Sequence, residues 1–248
     1  MKDQYVGDIG DYGKYGLLRY LNEYGIKIGV NWYLTPRDGR TDGNHTEYLE
    51  DQRMRDYDAG LFDAMKRLAF CLDKSVSLVE RSGVLAGMRF YSAMMDLDSL
   101  DWRERAEARE RWHKGALSML KDADLIFADP DNGLSITQKP TKKGAQKFIF
   151  PGEIVDYFRR GQQVFYYHHR PRKDYDGWMK DKSQIRNFLP DARLLAVSFN
   201  RWSCRTYIFV VHEERCKEYR SLLQDFLASP WGRYKVNGKP AFTEEPIL

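Results

Sequence analysis

Leu125-Ile126-Phe127-Ala128-Asp129-Pro130-Asp131-Asn132-Gly133 reads as a short strand that empties into a polar turn. Four apolar residues between Asp124 and Asp129 are too few for a helix, and without polar alternation they fit a strand buried on both faces. Burial on both faces is the habit of parallel sheets, whose crossover connections lay helices over each side. The turn that follows carries two carboxylates and an amide, with Pro130 to stiffen it and Gly133 to permit a positive φ.

The same design recurs downstream. Val164-Phe165-Tyr166-Tyr167 is a second apolar run behind a helix-like segment, and it ends in His168-His169-Arg170-Pro171-Arg172-Lys173. Helix, strand, helix, strand implies parallel pairing. Upstream, Ile26, Ile28, Val30, Trp32 and Leu34 alternate with other residues, the period of a strand, until Pro36 ends it. The glycine- and tyrosine-rich residues 7–16 read as a loop that runs into a helix through Leu17, Leu18, Leu21 and Tyr24, ended by Gly25. Helical patterns cover 61–72 and 100–120, the second with Asp101/Arg105 and Glu107/Arg111 four residues apart, a solvated charged face. Residues 194–199 and 206–211 pair as a hairpin through Asn200-Arg201-Trp202-Ser203-Cys204, and a helix over 213–227 closes the chain. The expected fold is one α/β domain over residues 1–248, a three-layer sandwich with a mostly parallel sheet and an antiparallel C-terminal hairpin.

Composition narrows the function classes. With 248 residues, 42% of them hydrophobic, the chain can bury a full core. No signal-like start and no apolar run near the roughly 20 residues of a bilayer span are present, so a cytoplasmic protein without membrane contact is expected. Cys71, Cys204 and Cys216 are odd in number and never in a CxxC pair, which argues against disulfides and cysteine zinc sites and for small buried hydrophobes. The net charge is only +4, but Lys139 to Lys182 holds eleven Lys or Arg against five Asp or Glu. One sector is therefore cationic, as DNA or another nucleic acid requires of its partner. Nothing in the pattern specifies an oligomeric state.

Ligands of parallel sheets bind beyond the carboxyl ends of the strands, where loops diverge. Three loops meet that criterion, those after Leu34, Ala128 and Tyr167. Asp129 and Asp131 can act on a substrate, and Asn132 can read a base. In the third loop His168 is a candidate acid or base and His169 a substrate contact, beside the fixed cations Arg170, Arg172 and Lys173. The loop after Leu34 offers Arg37, Arg40 and His45, interspersed with glycines. The opening segment adds Asp8, Asp11, Tyr12 and Lys14, with tyrosines able to stack on bases.

Val6-Gly7-Asp8-Ile9-Gly10-Asp11-Tyr12-Gly13 is similar to the Gly…Asp-Pro-Tyr water-activating loop of the uracil-DNA glycosylase superfamily. Asn132 resembles that family's base-reading asparagine, and His168-His169-Arg170-Pro171 resembles its His-Pro-Ser intercalation loop. Proline is missing between Asp11 and Tyr12, and some 75 residues follow where that family ends. The resemblance implies a hydrolase that flips a base out of DNA and excises it, with Asp11 or Asp129 positioning water and no cofactor or metal. A second resemblance, of Asp129-Pro130-Asp131-Asn132 to the Asp-Pro-Pro-Tyr motif of amino methyltransferases, implies an S-adenosylmethionine-dependent nucleic-acid enzyme. No Gly-x-Gly loop follows the first clear strand to support it. A Mg-dependent nuclease using Asp129 and Asp131, and a DNA-binding module without catalysis, complete the expectations.

Overall fold

A computed structural model describes residues 1–39, 45–169 and 175–247 of the chain. Its centre is a seven-stranded mixed sheet. Four strands, β1 (Ile28–Asn31), β2 (Arg89–Tyr91), β3 (Leu125–Ala128) and β6 (Gln163–His169), lie parallel in the order β2-β1-β3-β6. The hairpin of β7 (Arg193–Phe199) and β8 (Arg205–Val211) extends the sheet so that β8 runs antiparallel between β6 and β7. β11 (Phe242–Glu244) covers the outer edge of β7. Two small ribbons complete the strands: β4 (Gly133–Leu134) with β5 (Phe148–Ile149), and β9 (Lys235–Val236) with β10 (Lys239–Pro240).

Alternate residues of the central strands feed two separate cores. Ile28, Val30, Leu125, Phe127, Phe165, Phe209 and Val197 join one cluster. It also holds residues of α1 (Ile9–Glu23), α2 (Ala59–Ala69), α3 (Val76–Arg81) and α7 (Glu213–Ala228). Ile126, Ala128, Val164, Tyr166, Ile208 and Ala196 join the other, with α4 (Arg105–Met119) and α5 (Pro151–Arg159). The unbroken apolar runs therefore have the cause inferred for them, burial on both faces. Two further helices, α6 (Tyr175–Ser183) and the single turn α8 (Pro230–Arg233), flank the C-terminal half.

The glycine-rich opening is a helix, which corrects the expected loop. Asp8 caps α1 by accepting the Asp11 N–H at 3.0 Å, and the helix runs from Ile9 straight through Gly10, Gly13 and Gly16. Those glycines serve packing. A Cβ on Gly13 would lie 2.7 Å from the Phe199 ring, and one on Gly16 would lie 2.2 Å from Trp231. The charged face expected on α4 is also partly buried. Arg105 donates to the carbonyls of Leu100 and Thr141, away from Asp101, and Arg109 forms a buried pair with Glu153 at 2.7 Å. Glu107 and Arg111 do pair on the exposed side. The three cysteines are free and only partly buried. No helix among the described residues is long and apolar enough to cross a membrane.

Candidate functional site

A cavity of about 310 Å³ opens at the carboxyl ends of β3 and β6. Its walls come from the N-terminal residues with the start of α1, the turn after β3, Lys147, the end of β6 and the β7–β8 hairpin. Asp8, Asp11, Lys14, Asp129, Asp131, Asn132 and His169, all singled out in the sequence, line it together.

Lys14 is the hub. Its ammonium lies 2.7 Å from Asp11 Oδ1 and 2.6 Å from Asp129 Oδ2, with all three side chains less than a tenth exposed. Burial works against the charge on Lys14, but the two carboxylates outweigh it and hold its pKa above the ordinary value. Asp11 also accepts the Gly7 N–H at 3.3 Å. Burial, aided by the carboxylates of Asp8 and Asp129 and opposed by Lys14, pushes the Asp11 carboxyl up to about 6. Asp8 is likewise raised by burial, against the pull of Arg205, whose guanidinium stands 3.6 Å away. Gly10 leaves room for that guanidinium, since a Cβ there would fall 2.6 Å from Arg205 Nε.

The turn after β3 is fixed from both ends. Asp129 donates its N–H to the Asn31 carbonyl, and Asn132 donates to that of Lys147. Gly133 has φ +94°, and a Cβ on it would meet His168 Nδ1 at 2.4 Å. Beside this turn, three oxygens converge on the nitrogen of Met1: Tyr33 O at 3.2 Å, Asp129 O at 2.9 Å and Asp131 Oδ1 at 2.9 Å. Asp131 is half-buried, and although that burial works against its charge, the ammonium together with Lys2 and Lys147 holds its carboxyl below the usual range. Tyr33 bends the chain after β1 at φ +47°, a left-handed conformation costly for a bulky residue, and its hydroxyl is anchored on Glu153.

Tyr5, Tyr167 and Tyr207 add aromatic walls. Tyr207 is fully buried, and its hydroxyl has no hydrogen-bond partner among the described residues. His169 is bonded to the Tyr167 hydroxyl at 3.0 Å, and burial followed by Arg205 lowers its pKa, which favours the neutral imidazole.

Other residues chosen from sequence lie elsewhere. Tyr12 is buried between Tyr48 and Trp231 and donates to the Met54 carbonyl, so it has no face for a base. His168 points behind the turn, where Nδ1 accepts the Leu134 N–H at 3.1 Å and the ring stacks on Trp178. Two adjacent strand residues face opposite ways, and His169 is the one at the cavity. Arg37 is exposed and donates to the Lys74 carbonyl. His45 stacks on Trp202 outside the cavity wall. Arg40, Arg170, Arg172 and Lys173 lie outside the described residues. Sequence reasoning missed Lys2, Tyr5, Lys147, Tyr167, Ser203, Arg205 and Tyr207. The available signal for Arg205 was a cation opening an otherwise apolar strand. Among the described residues no three His, Cys, Asp or Glu side chains gather as a metal site.

No family model and no curated protein matches the chain. Among solved structures, it is similar to protein LPL1258 from Legionella pneumophila str. Philadelphia 1, of the DUF519 family. The two are 12% identical with a TM-score of 0.44, over 97% of this chain and 96% of that one. That likeness is too distant to bear on fold or function.

Proposed function

We propose that this chain is an enzyme that methylates an exocyclic amine of a base in a nucleic acid, with S-adenosylmethionine as donor. The observation that carries the proposal is the position of Asp129-Pro130-Asp131-Asn132, at the carboxyl end of a central parallel strand and on the wall of the cavity. The sheet supports it by analogy, since β8 threaded antiparallel between β6 and β7 suits the methyltransferase fold. The two cores on opposite faces of the sheet would suit the three-layer sandwich that such a fold builds.

The residues fit the cofactor at one corner. The oxygens of Tyr33, Asp129 and Asp131 already accept an ammonium, and they would hold the α-ammonium of the cofactor in place of Met1. The turn expected from glycines after β1 is made by strained Tyr33 instead. When bound, the cofactor supplies an electrophilic methyl group. Asp129 accepts an N–H of the target amine and so aims the nitrogen lone pair, while Lys14 fixes the Asp129 carboxylate. The amine sheds its proton to water at the cavity mouth, since both oxygens of Asp11 are already engaged by Lys14 and Gly7. Lys139, Lys142 and Lys143, exposed on the segment that leads from the turn, meet the phosphates.

Calorimetry with S-adenosylmethionine, followed by transfer of labelled methyl to RNA and DNA, tests this reading. Binding heat that Asp131→Asn diminishes, with label in nucleic acid, is expected. Neither heat nor label would overturn it. Base excision is the second reading, favoured by the near-neutral Asp11, and the same incubations read it out as abasic sites. Both oxygens of Asp11 are engaged, by Lys14 and Gly7, which weakens it as a water activator.

A further inference from the structure

Trp202 is the most conspicuous aromatic near the cavity. It is 69% exposed, although a tryptophan gains by burial. Its backbone is held at φ +63°, in the left-handed region, at the tip of the β7–β8 hairpin. Strain of that kind persists only where surrounding structure imposes it. Here the imposing contacts are visible. His45 stacks on the indole with ring centroids 4.0 Å apart and 30° between planes. The His45 carbonyl in turn accepts the Ile9 N–H at 3.0 Å, which ties the stack to the first turn of α1. On the other side the next residue, Ser203, lines the cavity, and its carbonyl accepts from Arg205.

The indole therefore stands at the rim of the cavity, braced through His45 by the residue next to Asp8 and through Ser203 by the guanidinium beside Asp8. One ring face is covered by an imidazole, and the high exposure leaves the remainder to solvent. An aromatic plane presented in this way matches a flat π surface, and the cations of residues 139–147 select a polyanion bearing such surfaces. A protein partner would call for a broader apolar patch around the indole. The next residue, Ser203, is polar.

We infer that Trp202, backed by His45, is a stacking platform for the nucleobase adjacent to the one held in the cavity, so that the enzyme takes its target from single-stranded or locally opened nucleic acid. The inference rests on the nucleic-acid reading above and extends it to the form of the substrate. Stacking on an aromatic is worth about 1–3 kcal/mol per base, or roughly a fivefold to hundredfold change in affinity.

The test is binding of fluorescein-labelled single-stranded and duplex oligonucleotides, by anisotropy across a salt series, to the full chain and to Trp202→Ala, Trp202→Phe and Asp129→Asn. Trp202→Ala should weaken single-strand binding by roughly fivefold or more with an unchanged salt slope, because stacking releases no counterions. Trp202→Phe should keep most of the affinity, and Asp129→Asn should bind while losing activity. A 2-aminopurine strand should show fluorescence quenching that Trp202→Ala removes. Equal binding by wild type and Trp202→Ala would overturn the platform and leave the nucleic-acid reading standing. Failure of the wild type to bind any oligonucleotide would overturn both.

Discussion

The Lys14 ammonium stands 2.6 Å from Asp129 Oδ2, and this one pair ties the first helix to the turn after β3. Because Lys14 also holds Asp11, removing it strands two buried carboxylates, whereas removing Asp129 leaves the lysine paired. Breaking a buried pair by deleting one partner costs about 3–5 kcal/mol. Lys14→Met should therefore lower the urea midpoint markedly, while Asp129→Asn should be the milder change in stability and still abolish methyl transfer. Equal destabilisation by the two would show that Lys14 is not the hub.

The titration of Asp11 predicts a pH dependence. Its carboxyl sits at about 6 in the folded chain against 3.8 unfolded, so between those values the folded state binds the proton more tightly. The contribution of this group is largest at the acid end, and it is lost as pH rises through about 6. Urea midpoints measured from pH ~4 to ~7 should be flatter for Asp11→Asn than for wild type, and parallel curves would refute the shift.

Glu245 acts in the opposite sense. It accepts from Lys182, Trp178 and Ser198, and although burial opposes them these bonds hold its carboxyl below the ordinary value. Its stabilisation is present above the ordinary glutamate range and is lost as pH falls through the depressed folded value. Glu245→Gln leaves the fully buried Lys182 without its carboxylate, at a cost of about 3–5 kcal/mol near neutral pH. Thermal unfolding at pH ~7 and ~4 should show the gap between mutant and wild type narrowing in acid.

Gly16→Ala should destabilise, against helix propensity. Alanine is favoured by about 1 kcal/mol in a helix interior. The new methyl would sit 2.2 Å from the Trp231 ring, which is itself buried, and overpacking of this kind costs about 1–3 kcal/mol. A raised melting temperature in Gly16→Ala would show that Trp231 gives way.

The strand 125–128 was legible residue for residue because burial on both faces leaves an unmistakable apolar run. The alternation over 26–34 overran its strand by contrast, since Trp32, Tyr33 and Leu34 are buried in a bend and a buried bend keeps the apolar pattern while losing the extended backbone. β2 and β11, of three residues each, are too short to carry a period. Each half of the site was visible as a local polar turn. The partnership of Lys14 with Asp129 was not, because no local pattern encodes a contact between residues 115 positions apart. Glycines read as loop-formers were helix-packing residues, a distinction that depends on Phe199 and Trp231 in the last third of the chain.

α1 carries three glycines, each about 1 kcal/mol poorer than alanine in a helix, so the isolated segment is expected to be coil. The partners that make it a helix, Phe199, Arg205 and Trp231, lie far along the chain from it. The cavity therefore has no partly built form. A chain lacking residues 199–248 would expose Asp8, Asp11 and Lys14 on an unfolded segment, because the cavity forms only once the C-terminal strands and helices have packed against α1.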